Sequence, residues 1–112
     1  MQKTIALLLL GAFLAGTSMA GEFLADRHGK VGVDCAACHG PDLKNMQRPT
    51  IETCTSCHAL DALVEKTKNV KPTNPHTSPH YGKRLDCFNC HMGHAESTNF
   101  CNQCHQFPFN VK

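Results

Sequence analysis

The residues best placed to do chemistry in this chain are its eight cysteines and eight histidines. The pentad C-x-x-C-H occurs four times: Cys35-Ala-Ala-Cys38-His39, Cys54-Thr-Ser-Cys57-His58, Cys87-Phe-Asn-Cys90-His91 and Cys101-Asn-Gln-Cys104-His105. No cysteine is left over. This pentad is the attachment signature of a c-type haem. Thiols at i and i+3 of a helical turn project from one side, so both reach the vinyl groups along one edge of the ring. The histidine that follows is placed to meet the iron. The spacing predicts four haem c groups, each held by two thioether bonds.

Each such iron needs a sixth ligand, whose identity sets its redox behaviour. Four histidines belong to pentads (His39, His58, His91 and His105), and four do not (His28, His76, His80 and His94). One spare per iron predicts four low-potential bis-histidine haems. Methionine is the rival sixth ligand, but only Met46 and Met92 follow the apolar leader, too few for four irons. His94 stands three residues after His91, so the two are expected to share a helical face. Two such neighbours cannot clamp one ring between them, and His94 is expected to serve a different haem from His91.

Other uses of these residues fit less well. Four disulfides give no reason for a histidine directly after every second cysteine. Zinc sites use four ligands each and do not need that adjacency. A thioredoxin-like dithiol needs one C-x-x-C, not four.

The elements that must position these groups are short. Residues 1–20 read as a secretory signal: Lys3, an apolar run from Ile5 to Ala15, and a small-x-small site ending at Ala20. That run is shorter than the about 20 apolar residues of a membrane span, so no stable membrane insertion is expected. Residues 21–112 form one domain by length. Glu22 to His28 predicts one or two helical turns, broken by Gly29-Lys-Val-Gly32. The first pentad is expected on a turn capped by Asp34 and ended by Gly40-Pro41. The clearest helix is predicted from Ile51 to Lys68, with Leu60, Leu63, Val64 and Thr67 as its apolar stripe. Val70 to His80 holds three prolines and no period, and reads as a stiff loop carrying His76 and His80. Phe107 and Phe109 are expected to be exposed, covering a haem edge or meeting a partner.

Composition makes the haems structural as well. In residues 21–112 Leu, Ile, Val and Phe make up about 17%, below the roughly 20% at which a chain struggles to build a core. Porphyrins could supply the missing apolar mass. Haem propionates would add about two negative charges per haem. The sequence pI of 8.2 therefore gives no argument for a nucleic-acid partner.

The order of these features resembles a known family, the tetrahaem cytochrome domain of periplasmic flavocytochrome c fumarate reductases and the related small tetrahaem cytochromes c. The resemblance runs from Phe23 to Asn110. It is carried by Leu24-Ala-Asp-Arg-His28, Glu52-Thr-Cys54-Thr-Ser-Cys57-His58, Leu63-Val-Glu-Lys-Thr67, the pair His76 and His80, Cys90-His91-Met-Gly-His94 and Phe107-Pro-Phe-Asn110. It implies that His28, His76, His80 and His94 are the distal ligands, although His28 and His76 are each displaced by one residue. It also implies a mainly irregular fold with short α-helices, almost no sheet, packed around four haems. The fused enzymes continue into a flavin domain. Here no glycine-rich dinucleotide fingerprint is present.

The expected function is periplasmic electron transfer. A membrane-anchored quinol-oxidising cytochrome is the expected donor, and a separate periplasmic flavoprotein reductase carrying FAD the acceptor. A free shuttle serving several partners is the near alternative. A multihaem reductase with its own open iron is the enzymatic one, and haem storage a third.

Overall fold

The computed structural model describes residues 22–112; the signal expected over residues 1–20 lies outside the described residues. Helix α1 (Leu24–Lys30) starts where the Asp26 carboxylate accepts from the Phe23 main-chain N–H at 2.9 Å. It runs two residues further than the sequence suggests, through Gly29 to Lys30, and stops at Val31. Gly29 alone does not break it, because a glycine inside a helix costs only about 1 kcal/mol. The reversal comes at Gly32, with φ +85°.

Helix α2 (Cys35–His39) is the first pentad itself. Asp34 caps it, its carboxylate accepting from the Ala37 N–H at 3.0 Å, and Gly40 ends it with φ +83°. Both features match the sequence reading.

The long helix expected from Ile51 to Lys68 is instead two: α3 (Ile51–Thr55) and α4 (Leu60–Lys66). The interruption falls on Ser56–Ala59, where the second pentad finishes, and Ala59 is extended at the head of α4. Helical periodicity continues across the gap, which is why the break is not legible in the sequence. The α4 stripe of Leu60, Leu63, Val64 and Thr67 is half-buried, while Asp61, Glu65 and Lys66 are exposed.

The third and fourth pentads begin on 3-10 turns, Cys87–Asn89 and Phe100–Gln103. His91 and His94 lie in non-helical chain, so the shared helical face expected for them is absent. The chain bends at Gly93 between them, and the Gly93 carbonyl accepts from Ala25 of α1 at 2.8 Å. The described residues contain no strand, only an isolated antiparallel bridge between Ser78 and Gly82.

Long-range ties are few and polar. Asp86 accepts from the first N–H of α3, at Ile51, from 35 residues away (3.1 Å). The Arg48 guanidinium lies 4.2 Å over the Phe88 ring. Helix α3 lies between α2 and the turn at 87–89. Among the described residues no apolar side chain is fully buried, and Ser78 is the one buried residue. The described residues form a shell without a side-chain core.

Candidate haem-binding site

Each pentad histidine faces one spare histidine, and none is shared. The ring centres are 6.0 Å apart for His39 and His94, 6.0 Å for His58 and His28, 6.4 Å for His91 and His76, and 6.0 Å for His105 and His80. Direct N–H···N bonding of two imidazoles would hold their centres roughly 5 Å apart. Two imidazoles trans on one metal, at about 2 Å per bond and roughly 1 Å from nitrogen to ring centre, stand about 6 Å apart. The observed spacings fit the second arrangement. His94 faces His39 and not its neighbour His91.

Hydrogen bonds fix the rings and their tautomers. His28 Nδ1 lies 2.9 Å from the Leu24 carbonyl, His39 Nδ1 2.9 Å from that of Gln47, and His91 Nδ1 3.0 Å from that of Lys112. A carbonyl can only accept, so Nδ1 carries the proton in each and Nε2 keeps its lone pair for a metal. His76 Nδ1 reaches Thr67 Oγ1 at 2.9 Å. That hydroxyl donates onward to Leu63 O or Asn74 Oδ1, both 2.7 Å away, and so accepts from His76. Asn74 completes the support, donating to Val64 O and accepting from the His76 N–H. The loop carrying His76 is therefore clamped to the end of α4. Burial, and then the neighbouring His91, lowers the His76 pKa, which favours the neutral, ligating form. His105 is held by packing: Phe107 stacks on it at 4.5 Å with planes 6° apart. Phe107 and Phe109 are half-buried rather than exposed, because Phe107 covers the imidazole.

The cysteines are all unpaired thiols. Helix α3 packs against both α2 and the turn at 87–89, so the second pentad adjoins the first and the third. Burial, with the like charge of Cys87 next, pushes the Cys54 thiol up to about 11. A dithiol redox motif needs the opposite shift, towards the thiolate. No group of three or more His, Cys, Asp and Glu side chains among the described residues is arranged to hold a metal ion. The zinc reading thus finds no four-ligand cluster.

A cavity of about 680 Å³ lies at the fourth pentad, lined by Cys101, Cys104, His105 and, opposite them, His80. Its size falls within the about 300–1,000 Å³ of cofactor pockets. Pro75, Pro79, Tyr81, Leu85 and Phe107 give it an apolar wall. The thiols, the facing imidazoles and this wall fit a covalently attached macrocycle. The sequence reading missed the roles of Thr67 and Asn74, which carry no motif, although Thr67 lies on the α4 stripe.

Comparison with known proteins agrees with this chemistry. The family profile described as cytochrome c3 matches residues 27–106. The acrylate reductase cytochrome subunit of Shewanella woodyi is 38% identical, the match covering 92% of either chain. A probable fumarate reductase of Shewanella frigidimarina is 35% identical over 94% of this chain, which spans only 17% of that protein. A c-type cytochrome protein of Eggerthella lenta is 32% identical over 73% of this chain and 51% of its own length. No solved structure matches.

Proposed function

The chain belongs to the cytochrome c3 family, and on that footing we propose that it carries four bis-histidine haems and passes electrons to a separate flavoprotein reductase. The observation that carries the reading is the pairing of every pentad histidine with one spare histidine at 6.0–6.4 Å. The ligand sets are His39 with His94, His58 with His28, His91 with His76, and His105 with His80. The thioethers form at Cys35 and Cys38, Cys54 and Cys57, Cys87 and Cys90, and Cys101 and Cys104. Each haem supplies a one-electron ferric/ferrous couple. The chain's own residues orient the imidazoles, shield the rings and set the first three pentads side by side.

All eight histidines are engaged in this arrangement, which supports a carrier rather than a catalyst. The relative matched over 92% of its length is named a cytochrome subunit of an acrylate reductase, and the longer relative a probable fumarate reductase. Both names describe reduction of a small unsaturated carboxylate, a two-electron, two-proton step that would occur on the partner. A membrane-anchored quinol-oxidising cytochrome is the proposed donor. The proposed compartment is the periplasm, after cleavage near Ala20 leaves residues 21–112. No helix among the described residues is long and apolar enough to cross a membrane.

The test is reoxidation of the reduced protein, followed in the haem α-band, with a purified flavoprotein reductase of this class. Rapid bleaching on adding acrylate or fumarate, with two haem electrons consumed per substrate, is expected. Reoxidation that needs no flavoprotein would contradict the carrier reading.

A further inference from the structure

Three of the four facing pairs are nearly coplanar. The planes differ by 2° for His76 and His91, 11° for His39 and His94, and 19° for His80 and His105. The pair His28 and His58 is crossed at 85°. Its ring separation, 6.0 Å, is the same as in two of the others, so the angle alone sets it apart.

The angle has an electronic consequence at a low-spin ferric iron. An imidazole donates π density from the orbital perpendicular to its plane, and raises the one iron d orbital that matches it. Two coplanar imidazoles act on the same orbital, split the dxz and dyz pair, and quench most of its orbital moment. Two crossed imidazoles act on one orbital each. The pair then stays nearly degenerate and its orbital moment survives. Axial-ligand geometry of this kind is among the ways a protein tunes a haem.

We propose that the His28–His58 site is electronically distinct from the other three, with a strongly anisotropic ferric ground state imposed by its crossed imidazoles. The inference rests on the four-haem ligation proposed above and adds which site differs and why. One ring of the crossed pair is anchored by the chain. His28 is fixed to its own helix by the Leu24 carbonyl at 2.9 Å, and α1 is tied at Ala25 to Gly93. In the most nearly parallel pair both rings are anchored, His76 by Thr67 and His91 by the Lys112 main-chain oxygen. His39 is anchored by Gln47, and His105 by the face of Phe107. The distinct site also has two pentads next to it, since α3 packs against both α2 and the turn at 87–89. Its signal would report the redox state of the haem that adjoins the first and third pentads.

The experiment is low-temperature EPR of the fully oxidised holoprotein, with proton NMR at room temperature. The expected spectrum has rhombic low-spin signals from three irons and a large-gmax signal from one. In NMR, the ring methyls of the haem on Cys54 and Cys57 should spread over a much narrower range than those of the other three. His28→Met should abolish the large-gmax component, and Thr67→Val should alter a rhombic one and spare it. Four rhombic irons, or a large-gmax signal that survives His28→Met, would overturn the inference and leave the ligation standing. The NMR assignment uses the unaltered protein, so it decides even if the variant fails to accumulate. Fewer than four low-spin irons would overturn the ligation and this inference with it.

Discussion

At the scale of single residues, the inventory is plain in the sequence and the pairing is not. Four pentads and four spare histidines announce their number, but partners such as His39 and His94 are separated by 55 positions, and no local rule links them. The expectation that His91 and His94 act apart rests on a helix that does not form; the two nevertheless face different partners, His76 and His39. The pairing makes His94→Ala a specific test. It should leave one high-spin iron, and NMR should place that iron on the haem held by Cys35 and Cys38. A high-spin iron on Cys87 and Cys90 would mean the pairs are wrongly drawn. Thr67 makes a second test. Its hydroxyl is the acceptor for His76 Nδ1, and loss of such a support typically weakens a metal–ligand bond about 10–100-fold. Thr67→Val should ease displacement of His76 by added cyanide to that extent, at the third haem alone. Equal easing at every haem would point to general loosening instead.

At the scale of elements, the segment from Ile51 to Lys68 has the pattern of one ordinary helix and forms two. Leu60, Leu63, Val64 and Thr67 do form a stripe, and the asparagine and histidine that follow dock on the end of α4. The residues before them also keep helical period, yet the pentad at Cys54–His58 closes α3 after five residues. A haem-binding turn spends its thiols and imidazole on the cofactor, so its length is set by that chemistry and not by helix propensity. Asp34 and Gly40 were legible because capping and positive φ are local signals. Asp86 was not, since it caps α3 across 35 residues. Asp86→Ala leaves the Ile51 N–H without its partner and should cost about 1 kcal/mol, the usual cost of a lost cap. Denaturant unfolding of the holoprotein measures it, and Asp86→Asn, which keeps an acceptor, should lose much less. An unchanged midpoint in Asp86→Ala would show that this tie contributes nothing.

At the scale of the whole molecule, the low content of large apolar residues foretold a chain unable to bury a core. Among the described residues none of its apolar side chains is fully buried. Such a shell is expected to be held by its cofactors, since a chain ordinarily needs a buried core, disulfides or metals to stay folded. Expressed without haem attachment, residues 21–112 should show a disordered circular-dichroism spectrum and no cooperative unfolding. A native-like transition in that apoprotein would mean that the polypeptide packs by some other means. All of this depends on four haems covalently bound, each between a pentad histidine and a spare one. The most direct measurement is the intact mass of the exported polypeptide under denaturing conditions, where thioether-linked groups remain attached. The account predicts residues 21–112 plus four haems; a mass carrying three or fewer would contradict it.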